Sequence, residues 1–547
     1  MRKNVFLVIF SLMLAITANA QMGQLINGIY YYFRFDFSSG KEYAEVTYKN
    51  YGEATPEYTG NIFIPEMVYN QGRPYPVTSI GDRAFERCNT LTSIFLPYSL
   101  TSIGNSAFSG CSALSWVEVP NSVTNIGSYA FFNCEALSSI YIPSGVTSIG
   151  DCTFDGCSSL ASINIPSTVT NIGQSAFNGC HALTSVTIPN GVKSIGASAF
   201  KYCKGLTSVS IPSSVTTIGG GAFSESPNLK SITIPEGVTE LGYYMFSGCR
   251  NLTSVTIPSS VKSISKWAMF QYCESLKSIT IPESETQIED LAFSGCKSLT
   301  SIIIPEGVTS IGKYAIQNCK GITSITIPKN VESIDNTAFR RCDNLAAINV
   351  DSQNVHFSSD NGMLFNKDKT SLLCYPAGKT ENSFVIPENV KTLGGSAFDN
   401  CSNLTSITIP KSVTTIEGYD AFSNCLNLTS IINLNPTPIV LTYDVFWVDK
   451  GVNKAECTLF VPFGSKTAYQ NAAIWKNFNI VELPADNEDP KEDYCQELEE
   501  NPDPNYTYRY FLWGGIESPT KPAKGVNHYR VTFYKGNPTA LDKYKCN

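Results

Sequence analysis

The residues of this 547-residue chain best suited to metal or redox chemistry are its 18 cysteines and 3 histidines, and neither set is arranged for it. His181, His356 and His528 are isolated, with no second histidine or carboxylate at ligand spacing, so neither a zinc site nor imidazole catalysis is indicated. Cys88, Cys111, Cys134, Cys157, Cys180, Cys203, Cys249, Cys273, Cys296, Cys319, Cys342 and Cys401 recur in phase, with Cys425 one residue late. Cysteines locked in phase on adjacent repeats would sit ~4.8 Å apart with parallel Cβ vectors, wider than the ~3.8 Å between bridged Cβ atoms. They are expected to be buried thiols acting as small apolar groups, and Ser226 replaces one of them. Cys152 lies off this column, and Cys374, Cys457, Cys495 and Cys546 lie outside the regular repeats. Cys495 and Cys546 bracket an aromatic tail that a disulfide would stabilise, with Cys457 as a competing partner.

Other motifs are incomplete. Gly307-Val-Thr-Ser-Ile-Gly-Lys313 mimics a phosphate loop, but Tyr314 stands where Ser or Thr must hold magnesium. Gly219-Gly-Gly221 repeats a corner rather than a dinucleotide fingerprint. Asn251, Asn403, Asn427 and Asn505 begin formal glycosylation sequons, three of them beside a core Leu. The acidic stretch Asp486–Asp503 lacks a calcium-loop pattern and, with Pro484, Pro490, Pro502 and Pro504, reads as a solvated linker. No catalytic residue, metal ligand or cofactor is assigned. A net charge of −8 and a pI near 5.2 exclude a nucleic-acid partner on electrostatic grounds.

The elements that position everything else come from a repeat. Ile/Leu/Val-Pro recurs at Pro97, Pro120, Pro143, Pro166, Pro189, Pro212, Pro235 and Pro258, 23 residues apart, and one extra residue precedes Pro282. A Phe column runs in phase from Phe85 to Phe293, passes through Ile316 to Phe339, and reappears at Phe398, Phe422 and Phe446. Each unit holds L-x-x-I-x-I, as in Leu183–Ile188, whose alternation turns Leu183, Val186 and Ile188 inward and Ser185 and Thr187 outward. One unit cannot bury its own apolar side, but stacked units bury a continuous core. The spacing predicts a β-rich solenoid of about fifteen coils with one long parallel sheet. The widened stretch around 346–390 should hold irregular coils near Met363–Phe365 and Leu372–Tyr375.

The unit I-P-x-x-V-T-x-I-G-x-x-A-F-x-x-C-x-x-L-x-x-I resembles the BspA-like leucine-rich repeat surface proteins of bacteria. So do the entry segment Val77–Phe85 and the closing segment Thr458-Leu-Phe-Val-Pro462 with Ala468-Tyr469 and Trp475-Lys-Asn-Phe478. The resemblance spans about residues 25–484 and implies a leucine-rich-repeat solenoid that is secreted or surface-displayed. It also implies adhesion to a host or bacterial surface protein or glycan. It carries no catalytic residue over.

The informative positions are those the period leaves free. Outward positions are mostly Ser or Thr, but the first coils carry Phe95, Trp116, Glu118 and Tyr141. Exposed aromatics mark binding hot spots, so these four are the candidate binding residues. The N-terminal aromatics Tyr30–Phe33, Phe35 and Phe37 could instead fold over them.

Arg2 and Lys3, an apolar stretch from Val5 to Ile16 and Ala18-Asn19-Ala20 read as a secretory signal peptide over residues 1–20. No later run is long enough to cross a membrane as a helix, so an exported protein is expected. Residues 21–76 should form an N-terminal β cap, 77–435 the solenoid, 436–484 a second cap, 485–504 the acidic linker and 505–547 an aromatic-rich tail module. The sequence leaves oligomeric state open. It also leaves two alternatives to a binding protein: an exported enzyme or carbohydrate-binding protein with its site in the tail, and a structural surface-layer component.

Overall fold

Phe at the same phase of every repeat meets its copy in the next one. In the computed structural model the rings from Phe85 to Phe293 stack face to face, with centroids 5.1–6.2 Å apart and planes within 21°. All are buried, and offset stacking at this distance adds to the burial itself. The structure describes residues 23–48, 58–264, 266–446 and 452–483, and the backbone of strands within 506–546. It is a β-solenoid of about 17 coils, and the described residues fall into two compact units. One comprises the chain up to Glu285 with Leu291–Lys297; the other comprises Thr286–Asp290 with Ser298 onward.

The first unit begins with β1 (Gln24–Ile26), β2 (Ile29–Asp36) and β3 (Lys41–Thr47), an antiparallel run. Then come β4 (Gly60–Phe63), β5 (Met67–Asn70), β6 (Arg73–Ile80), β7 (Leu91–Phe95), β8 (Ser102–Ile103), β9 (Trp116–Glu118), β10 (Asn125–Ile126) and β11 (Ser139–Tyr141). The single long sheet expected from L-x-x-I-x-I is replaced by two lines of short parallel ladders. One line pairs β4, β7 and β9, and resumes between β11 and Ser162–Asn164; the other pairs β3, β6, β8 and β10 through the V-T-x-I segments. From β8 onward the strands of this unit span only two or three residues, because a proline or a corner follows each, so the ladders break repeatedly.

The third side of each coil carries the Phe. There Phe108 N–H donates to the Ala130 carbonyl (2.8 Å) and Phe131 N–H to that of Thr153 (2.9 Å), linking successive coils without strands. Two residues on either side of Phe131 adopt positive φ, Tyr129 at 60° and Asn133 at 54°. The corner glycine answers a different need. A Cβ on Gly127 would lie 2.6 Å from the Asn105 backbone nitrogen, and one on Gly196 would lie 2.5 Å from that of Gln174. Close approach of the preceding coil, rather than φ, requires glycine there.

The cysteine column is buried, but it is more than apolar filler. Cys111, Cys134, Cys157 and Cys180 are free thiols that donate to the carbonyls of Phe85, Phe108, Phe131 and Phe154 in the coil before, at 3.0–3.3 Å. Ser226 makes the same bond to Phe200 at 3.1 Å. Burial pushes the Cys203 and Cys249 thiols up to about 12, far from the thiolate needed of a nucleophile or metal ligand.

In the second unit the irregular stretch is an antiparallel meander of Phe357–Asp360, Met363–Asn366 and Ser371–Cys374, whose last strand returns to parallel pairing with Thr392–Leu393. Tyr375 takes the aromatic place and stacks on Phe398 at 5.5 Å. The stretch is pinned by Arg340, whose guanidinium meets Asp399 at 3.1 Å and Asp420 at 2.7 Å while buried. The Phe column ends where Trp475 and Phe478 sit edge-on to Phe446. Trp475 Nε1–H donates to the Ile439 carbonyl, and Tyr469 O–H to that of Asn435. Residues 506–512 and 528–534 pair antiparallel, flanked by 516–518 and 544–546. Residues 1–20, read above as a signal peptide, and the whole 485–504 stretch with Cys495 lie outside the described residues, as does the side chain of Cys546. The possible Cys495–Cys546 bridge therefore lies outside them too. Its competitor Cys457 is a buried free thiol.

Candidate binding surface

The outward side chains of β4, β7, β9 and β11 form one face. Register places Phe63 opposite Phe95 and Phe95 opposite Glu118, with Trp116 opposite Ser93. The Phe95 and Trp116 rings meet edge to face at 5.4 Å. All four aromatics face solvent, at 70% relative exposure for Phe63, 47% for Phe95, 39% for Trp116 and 49% for Tyr141. Glu118 is exposed between them.

The N-terminal aromatics do not cover this face. β3 pairs with β6, in the other line of ladders. Tyr31 is buried, Phe33 packs edge-on against Tyr75 at 4.6 Å, and Phe35 contacts Phe37. Topology decides this: the antiparallel run extends the V-T-x-I line, which leaves the outward side of the L-x-x-I-x-I strands open.

Phe63 was missed as a face residue because it precedes the regular period. Its signal was present in Ile62-Phe63-Ile64-Pro65, the same strand-then-proline pattern as Ile94-Phe95-Leu96-Pro97. A second exposed group, Tyr243, Tyr244 and Trp267, lies on the Phe side of the coils. The Tyr244 and Trp267 rings are 5.9 Å apart, and Lys266 Nζ is 5.7 Å from the Tyr243 ring centroid. The extra residue in the repeat before Pro282 pointed to this place.

Lys313 N–H donates to Asp290 Oδ1 at 2.7 Å, so the phosphate-loop mimic presents a carboxylate where an anion would sit. His181 is exposed, with Nδ1 2.8 Å from the Tyr202 carbonyl. The Asn403 and Asn427 amides donate to carbonyls of the preceding coil at 2.8 and 2.7 Å. Among the described residues no cluster of His, Cys, Asp or Glu could hold a metal ion, and no helix is long and apolar enough to cross a membrane. A small cavity between Arg340, Tyr375, Ser396 and Asp399 has three polar atoms without partners, Arg340 Nε, Tyr375 Oη and Ser396 Oγ. It has room for about one water.

The profile of the BspA type leucine-rich repeat region, with six copies, matches residues 78–207, 171–271, 267–367 and 374–450. The chain belongs to the BspA-type leucine-rich repeat family. Solved structures of such repeats are similar to it. One is a leucine-rich repeat protein from Bacteroides ovatus, 24% identical, covering 84% of this chain and 100% of its own, with a TM-score of 0.45. A leucine-rich cell surface protein from Faecalibacterium prausnitzii is 30% identical over 75% of this chain and 94% of its own, with a TM-score of 0.40. The pneumococcal vaccine antigen PcpA is 17% identical over 85% of this chain and 100% of its own, with a TM-score of 0.36. No curated protein matches the chain. In this BspA-type chain the recurring phase of Phe, Cys and Pro builds the stack, and the period leaves the outward residues free.

Proposed function

We propose that the protein is an exported, surface-displayed binding protein, resembling adhesins and without catalytic activity. It engages a surface protein or glycan through the outward face of its L-x-x-I-x-I strands. The observation that carries the reading is the contiguous exposure of Phe63, Phe95, Trp116 and Tyr141, unoccluded by the N-terminal strands. Rigid aromatics on a fixed ladder give large contact area at small conformational cost, and such residues dominate binding energies. Export rests on the signal sequence at residues 1–20.

The experiment is a binding screen against extracellular-matrix proteins and glycans, run on the chain from residue 21 with and without residues 485–547. Binding retained by residues 21–484 supports the reading. Binding or hydrolysis found only with the tail moves the function there.

A further inference from the structure

We propose that this face takes a neutral, linear polysaccharide, laid across the strands along the stack so that each coil meets about one sugar. This rests on the reading of the face as a binding surface and names its ligand class.

The first support is the state of the hydroxyls. Beyond Tyr141 the outward positions are Asn164 and then a run of hydroxyls, with Ser162, Ser185, Thr187, Ser208, Ser210 and Thr233 all exposed. Among the described residues none of these hydroxyls has a hydrogen-bond partner in the protein. One position earlier in the strand the same residue types are committed: Thr207 Oγ1 donates to the Thr184 carbonyl and Thr253 Oγ1 to that of Lys230, both at 3.0 Å. On the V-T-x-I side, Thr170 and Thr216 likewise turn back onto the preceding coil, at 3.2 and 3.3 Å. This face keeps a row of uncommitted hydroxyls, each able to give one bond and accept up to two.

Charge and composition narrow the ligand. From Tyr141 to Thr256 neither outward column holds an ionisable group other than the Tyr141 phenol, and Glu118 is the one carboxylate beside the aromatics. An anionic chain would find no cation in these two columns, and a basic one a single acid. A protein partner would need an apolar centre ringed by polar groups, and serine is depleted in such interfaces. Here the aromatics sit at one end, followed by coil after coil of hydroxyls. A hydroxyl-rich neutral polymer matches both parts, its C–H faces stacking on Phe95 and Trp116 and its hydroxyls bonding along the row.

Spacing agrees. Val186 lies opposite Val209 and Thr187 opposite Ser210 in parallel register, so equivalent side chains recur every ~4.8 Å. That is close to the length of one pyranose in an extended chain.

The test uses the full chain in affinity electrophoresis through gels holding soluble β-glucan, xylan, mannan or starch, with heparin as the anionic comparison. At least one neutral polysaccharide should retard the protein, its oligosaccharides should bind more tightly with length, and heparin should not retard it. Trp116→Ala should weaken that binding about tenfold or more. The pair Thr187→Val with Thr233→Val, which keeps the β-branched shape, should weaken it several-fold. Thr170→Val with Thr216→Val should leave it unchanged, with circular dichroism confirming folding throughout. No retardation by any neutral polysaccharide, while Trp116→Ala abolishes capture of a matrix protein, would overturn this inference and leave the binding surface standing. A polysaccharide bound equally by wild type, Trp116→Ala and the Thr187/Thr233 pair would overturn both.

Discussion

The sulfur of Cys134 lies 3.2 Å from the carbonyl oxygen of Phe108, one coil back, and the same oxygen accepts the Cys111 N–H at 3.1 Å. Each Phe carbonyl that would otherwise offer one unused lone pair to a dry interior is thereby filled twice. The thiol column is a ladder of donors as well as a set of small apolar groups. This explains why serine, and not alanine, stands at position 226. Cys134→Ser should keep the bond and leave amide hydrogen-exchange protection of the neighbouring coils within about 1 kcal/mol of wild type. Cys134→Val removes the donor and adds bulk, and should cost about 1–3 kcal/mol. Equal protection in both variants would show that the bond contributes nothing.

Alkali should expose the same column. Burial raises the Cys203 and Cys249 pKa to about 12, against ~8.5 for a thiol in the unfolded chain. Between those values the folded state holds more protons than the unfolded one, so stability falls as pH rises. It is fully present below about pH 8.5 and declines toward pH 12, by about 1.4 kcal/mol per pH unit for each such thiol. Urea midpoints measured from pH 7 to 11 should be flat at first and then fall, and Cys203→Ser should make the fall shallower. Thiol reagents should label Cys111, Cys134, Cys157 and Cys180 only after unfolding.

Phe177 stacks between Phe154 and Phe200 at 5.5 and 5.3 Å. Phe177→Ala removes both contacts in a site that cannot collapse, because the coils are held apart by backbone hydrogen bonds. A local loss of about 3–5 kcal/mol is expected, read as accelerated amide exchange in the coils around residue 177. A loss below about 1 kcal/mol would place the column at the surface.

How much of this could be read from the sequence follows from what the repeat encodes. Phase alone identified the Phe stack, the buried cysteines and the outward Phe95, Trp116 and Tyr141, because each depends on position within one coil. What depends on the neighbouring coil was hidden. The Cys134–Phe108 bond joins residues 26 apart. The reason for Gly127 lies in the backbone of Asn105, and the break of the sheet into short ladders reflects strand lengths too small for a pattern to measure. Phe63 escaped because it falls outside the period, and Tyr243, Tyr244 and Trp267 because on the Phe side of the coils the period fixes only the buried column.

The Arg340 cluster holds an interruption in the repeat. Removing the guanidinium strands the carboxylate of Asp399, which is buried. Arg340→Ala should cost about 3–5 kcal/mol and open residues 346–390 to limited proteolysis first. Proteolysis unchanged from wild type would show that the meander is held by its strands alone.

The central claim is that the sheet-face aromatics form the binding site. Its most direct test is the affinity of the Trp116→Ala/Tyr141→Ala double variant, shown to be folded, for the ligand that the screen returns. A loss of at least about 2 kcal/mol, roughly thirtyfold in Kd, is expected. Unchanged affinity in that variant, together with loss on deleting residues 485–547, would contradict it.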